Sequence, residues 1–233
     1  MVLLQPSRHE DLVALFNDWR AFQKPKLVDG VPDYTVSAMA AQHRELAAYR
    51  RRLDGINTSG WTVSQQVDWH IVRAEMNGLD FDHRVLRPWA NNPAFYVTVF
   101  PEQSDQPARE GHHAYGSVEL WTYQFPLAPE RAERLDAGIR VIPTLLDQAK
   151  RNLIGTGRDL WTFGAQEIRQ QSADLERLAS RVADAPGHLN ANVRRAREAT
   201  DAFAAWLDAQ APSKKGRSGV GVEHYNWLSL IHI

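Results

Sequence analysis

The residues that could carry metal or nucleophilic chemistry are few, and their spacing does not suit it. A zinc peptidase helix needs His-Glu-x-x-His: the two histidines fall one turn apart on one face and bind the metal, while the glutamate serves as base. His9-Glu10 is the one forward His-Glu pair, and the fifth position is Val13. It therefore reads as first-turn helix electrostatics. Glu223-His224 would serve the inverted motif only with a histidine at 220, where Val220 stands. His112 and His113 are adjacent and would diverge on a helix; in a loop they could both reach a ligand, but they read as solvated or hydrogen-bonded loop histidines. Glu75, Asp80, Asp82 and His83 gather towards a helix end, but Asp80 and Asp82 do not share a helical face, which argues against a metal site.

The stretch GRSGVGV, from Gly216, has the glycine content of a phosphate loop without a preceding strand or a following Gly-Lys-Ser/Thr. There is no Gly-x-Ser-x-Gly elbow. The chain has no cysteine, which excludes disulfides, thiolate metal sites and cysteine nucleophiles. No catalytic residue and no metal ligand is assigned from the sequence.

The elements that would position any site are helical. The 233 residues are 43% hydrophobic and 24% charged, enough apolar material for a sizeable core. A formal net charge of -1 argues against nucleic acid and anionic membrane as partners. No apolar run approaches the roughly 20 residues that span a bilayer. The start, MVLLQPSRHEDL, lacks the apolar stretch of a signal peptide. The compartment stays open.

A first helix is expected from Ser7, with Ser7 and Glu10 at capping-box spacing and Leu12, Phe16 and Trp19 on one face. It ends before Pro25, and KPKLVDGVPDYT reads as an ordered loop. A second helix is expected over about 36–53. The third begins at a Thr62/Gln65 capping box, with Val67, Ile71, Ala74, Gly78, Phe81 and Val85 as its buried stripe. Gly78 there predicts close helix–helix approach.

A proline- and aromatic-rich, partly extended excursion follows at about 86–116, the kind of long non-helical stretch that often carries function. Helices resume with Pro129 in a first turn and Pro143 as a kink or restart. One follows over about 159–183, and a last one carries Val193, Ala196, Phe203 and Leu207. APSKKGRSGVG reads as a polar loop. No boundary divides the chain convincingly into two domains. The fold class expected is all-α, a multi-helix bundle or array with one long excursion.

Residues 228–233, LSLIHI, follow EHYNW with no cap and no helix end. They match the translation of a transposon end used to prepare sequencing libraries. They are read as an adapter tail and set aside from fold reasoning, which makes residues 1–227 a fragment of a larger helical protein.

Five stretches together resemble the amino-terminal part of the bacterial DUF885 proteins, a family of zinc metallopeptidase type. They are LVDGVPDYT (27–35), VDWHIVRAEMNGLDFDHRVLRPWANNPAFYV (67–97), VELWTYQFPL (118–127), IPTLLDQAKRNL (142–153) and GVGVEHYNWL (219–228). None is a catalytic motif.

The resemblance implies a large α-helical parent whose zinc site is a His-Glu helix motif followed by a Pro-Gly-His-His-like segment, downstream of this region. It implies zinc as cofactor and peptide as substrate for that parent, allows an exported location, and transfers no ligand or base to this chain. The chain alone is expected to be inactive, to need no cofactor and to self-associate through uncovered apolar faces. The rival expectation is a non-catalytic helical scaffold or interaction module. Substrate-facing candidates are Trp89, Tyr96 and His113 in the excursion, together with Tyr225; core packing is the favoured role for Trp89 and Tyr96.

Overall fold

The computed structural model describes residues 6–103, 112–185 and 187–230. The fold is all-α, as the periodicity predicts, with two minimal two-stranded pairings. The chain separates into two compact units, a division that the sequence does not announce because one unit is assembled from three separate stretches.

The first unit comprises Met1–Pro25, Val36–Leu86 and Val220–Ile233. Helix α1 (His9–Phe22) buries Leu12, Leu15 and Trp19. Its cap is Arg8 rather than Ser7: Asp11 Oδ2 accepts from the Arg8 backbone N–H at 3.0 Å. Ser7 is drawn instead to the turn before α3. Its hydroxyl accepts from Asn57 N at 3.1 Å and its carbonyl from Trp61 Nε1 at 2.6 Å. Helix α2 (Val36–Asp54) buries Met39, Leu46 and Leu53, one face at helical spacing.

Helix α3 (Val63–Phe81) begins with the predicted box: Thr62 N donates to Gln65 Oε1 at 3.0 Å, and Gln65 N returns to Thr62 Oγ1 at 3.4 Å. Its buried face is a correction. Val72, Met76, Asp80 and Phe81 are buried, whereas Val67 and Ile71 are 49% and 53% exposed. The helix carries two apolar stripes, and Trp19, Leu46 and Leu53 cover the one containing Val72 and Met76. Nor is Gly78 a point of close approach, because a Cβ there would meet nothing within 4 Å.

Helix α3 runs into a π-helical turn at Asp82–Leu86. Arg87 then takes a left-handed φ of 43° and opens a one-turn helix, α4 (Pro88–Asn91), with Pro88 at its first position.

The second unit comprises Lys26–Thr35 and Arg87–Gly219. The expected loop at 26–35 contains a hairpin, β1 (Leu27–Val28) with β2 (Val31–Pro32). Asp29 and Gly30 hold positive φ of 52° and 82° at its turn, a sequence pair suited to that geometry. In the excursion, a 3₁₀ turn over Pro93–Tyr96 leads to β3 (Val99–Phe100), which pairs in parallel with β4 (Val118–Glu119).

Helix α5 (Pro129–Ile139) starts at Pro129, and α6 (Ile142–Asn152) restarts at Pro143. The core is the packing of α7 (Arg158–Arg181) against α8 (Leu189–Gln210). Ile168, Leu175 and Leu178 are buried on the first, and Val193, Ala196, Phe203 and Leu207 on the second.

Residues Val222–Leu230 form α9 in the first unit, with Trp227 stacked on Phe81 at 5.0 Å. Leu228 continues this helix.

Two glycines give opposed expectations. Gly164 in α7 lies under the 3₁₀ turn, and a Cβ would meet Pro93 Cβ at 2.7 Å and Ala94 N at 2.8 Å. Gly164→Ala should destabilise by about 1–3 kcal/mol through overpacking. Gly78→Ala, in open space, should stabilise by up to about 1 kcal/mol through helix propensity. Urea unfolding of both variants checks this, and equal effects would contradict the packing described.

Candidate functional site

The excursion brings irregular backbone against helices, and buried amide side chains receive it. Gln148, on the apolar face of α6, accepts from Tyr34 N at 2.6 Å and donates to Pro32 O at 3.3 Å. Asn152, one turn on, donates from Nδ2 to Tyr34 O at 2.9 Å and to the Tyr96 hydroxyl at 3.1 Å. That hydroxyl donates to Trp89 O at 2.7 Å. Gln171 of α7 accepts from Thr98 N at 2.7 Å and Val99 N at 3.1 Å. Burial pushes the Tyr34 phenol up to about 12 and raises that of Tyr96 further. Both therefore stay neutral near pH 7 and act as hydrogen-bonding struts, since a buried phenolate would be poorly solvated.

Tyr96 has no exposed surface and Trp89 is 9% exposed, so both pack in the core, the role favoured for them from the sequence. His113 is half-buried, its ring edge-on to Phe100 at 5.5 Å. Tyr225 is 64% exposed on α9, in the other unit. Trp89, Tyr96 and His113 belong to the second unit and Tyr225 to the first. The sequence reading missed Gln148, Asn152 and Gln171. Their signal was present: each is a polar residue at a core-facing position of an otherwise apolar stripe.

Beside Gln148, a cleft of about 640 Å³ opens in the second unit. Its lining includes Asp29 at the hairpin turn, Asp33, Arg140 at the α5–α6 junction, Thr144 on α6, and Asn192 and Arg195 on α8. The hairpin is held over α6 by the Gln148 and Asn152 bonds, so the two sides of the cleft are fixed by buried contacts. Asn192 donates to Asp136 Oδ1 at 2.7 Å, and its own oxygen accepts from Arg195 Nη1 at 3.5 Å. Asp29, Asp33, Arg140 and Arg195 form no ion pair with another described residue.

The first unit holds a second polar cluster. Asp80, 8% exposed, accepts from His43 Nε2 at 2.9 Å and Arg84 Nε at 2.7 Å, with Arg50 Nη2 at 3.4 Å. Burial works to raise the Asp80 pKa, but the His43 and Arg84 hydrogen bonds and the two arginine charges outweigh it and hold it below the usual value. His83 stacks on His43 at 5.0 Å and bonds Gln42 Oε1 at 3.0 Å. Burial, aided by the His43 charge, depresses its pKa from 6.5 to about 4. Among the described residues, no group of three or more His, Asp or Glu could hold a metal ion. No described helix is long and apolar enough to cross a membrane.

No family model and no curated protein matches the chain. A solved structure, of a protein described as a lipoprotein of unknown function from Shewanella oneidensis, superposes on it with a TM-score of 0.67 at 16% identity. The alignment covers 97% of this chain and 42% of that protein. At that identity the likeness is one of fold. The chain spans less than half the length of the solved protein it matches.

The His83 environment sets an acid dependence. Between its folded value of about 4 and its ordinary 6.5, the unfolded chain binds the proton more readily, so stability rises with pH across that interval. Acidification should therefore lower the urea midpoint of the first unit progressively from about pH 6.5 to pH 4. Protonation of Asp80, lowered from 3.8, adds a further loss below that. His83→Gln should flatten the upper part of this dependence. An unchanged slope in the variant would rule out the His83 contribution.

Proposed function

We propose that this chain is the helical front portion of a DUF885-type zinc peptidase, supplying part of the substrate-binding wall while the metal-binding helix lies in downstream sequence. The supporting observation is the convergence of three of the resembling stretches. Tyr34 of 27–35, Tyr96 of 67–97, and Gln148 and Asn152 of 142–153 share one buried hydrogen-bonded network. The resemblance thus rests on residues that the scaffold itself requires. The 42% coverage of the solved neighbour agrees with a unit of a longer helical architecture, and that neighbour's description as a lipoprotein agrees with an exported parent.

In the parent, zinc would polarise the peptide carbonyl and activate water, with a glutamate as base. The described residues offer no ligand set for that ion, so no step of the reaction is assigned to them.

One observation favours a second reading, a non-catalytic interaction module. Val63, Val67 and Ile71 stand at i, i+4 and i+8 on α3 with 78%, 49% and 53% exposure. Such an apolar row suits contact with another helix.

The two readings divide on the sequence that follows this region in the proposed parent. A downstream His-Glu-x-x-His-like motif and zinc-dependent peptide hydrolysis by the longer protein are expected; a downstream sequence without the motif would reject the peptidase. The chain itself is expected to bind no stoichiometric zinc by metal analysis, and tight one-to-one binding would overturn that assignment. Sedimentation should reveal concentration-dependent association that Ile71→Glu reduces.

A further inference from the structure

We infer that the cleft between the β1–β2 hairpin and helices α6 and α8 binds a small zwitterion, a free amino acid or a short peptide with unblocked termini. The inference rests on this cleft alone and is independent of the peptidase reading. Its volume of about 640 Å³ falls within the range of small-ligand sites, about 300–1,000 Å³. Two arginines, Arg140 and Arg195, and two aspartates, Asp29 and Asp33, are among its lining residues, and none is ion-paired to another described residue.

Guanidinium groups present the planar donor fork that matches a carboxylate, and the Asn192 contact biases the orientation of Arg195. The two carboxylates make the lining neutral in sum. They oppose a dense polyanion such as an oligophosphate, while offering acceptors to an ammonium group. The arginines equally disfavour a divalent cation held by Asp29 and Asp33. A ligand carrying one charge of each sign satisfies both sets.

The hairpin holds the acidic side in place. Asp29 sits in the turn at φ 52°, and Asp33 Oδ1 is fixed by accepting from Thr35 N at 2.9 Å. Thr144, Gln148 and Asn192 add uncharged polar residues to the same lining.

The test is titration of the full chain, followed by amide chemical shifts and calorimetry, with five probes: alanine, trialanine, N-acetyl-trialanine, N-acetyl-trialanine amide and inorganic phosphate. Alanine or trialanine should bind, perturbing residues 28–35, 140–148 and 192–195, and the blocked peptide should bind at least about tenfold more weakly. Alanine matching trialanine would identify a free amino acid as ligand, and trialanine alone would identify a peptide.

Arg140→Gln combined with Arg195→Gln should weaken trialanine about tenfold or more, the order expected for losing hydrogen bonds to a charged group. Asp29→Asn, which tolerates the positive φ, should weaken trialanine but leave N-acetyl-trialanine with a free carboxylate unaffected. All three substituted side chains lie at the surface, and an unchanged unfolding midpoint verifies the fold. Binding of phosphate as tight as trialanine, equal binding of the blocked peptide, or no binding by any probe would overturn the inference.

Discussion

A helical protein that packs irregular chain against its core must find partners for backbone groups that no helix satisfies. Here three side-chain amides meet that demand. Gln148 and Asn152 hold both the N–H and C=O of Tyr34, and Gln171 holds the N–H groups of Thr98 and Val99. A buried, unpaired backbone group costs on the order of 1–3 kcal/mol, so loss of one of these amides would leave several such penalties at once. The hairpin, the excursion and the cleft beside them depend on this arrangement. It also explains why Tyr96, an aromatic in a functional-looking loop, is structural: its hydroxyl is a node of the same network.

The first unit solves a different problem. Asp80 is a buried carboxylate on the face that should have been apolar, and it is tolerated because His43, Arg50 and Arg84 surround it. With Asp80 drawn inward, Val72, Met76 and Phe81 follow it into the core. The stripe of Val63, Val67 and Ile71 then turns outward. Hydrophobicity alone cannot choose between two apolar stripes on one helix; the position of a single ion-pair network does. The same cluster places His83 where burial keeps it neutral, which couples this unit's stability to acid.

The functional reading separates into parts of unequal reach. The fold likeness to a protein more than twice as long, and the gathering of resembling stretches in one network, concern scaffold. The cleft concerns chemistry, and its charges belong to residues from three separate places in the chain that no linear motif connects.

The sequence by itself determined the elements: the Thr62 capping box, Pro129 and Pro143 at helix starts, the α8 core face and the all-α class. These follow from interactions within a few residues, which spacing encodes directly. Tertiary structure alone decided which α3 stripe is buried, that Ser7 leaves its helix for Asn57 and Trp61, that 27–32 forms a hairpin over α6, and that Val222–Leu230 is helical. Each depends on a partner dozens of residues away, where a hydrogen bond or covering side chain outweighs the local preference.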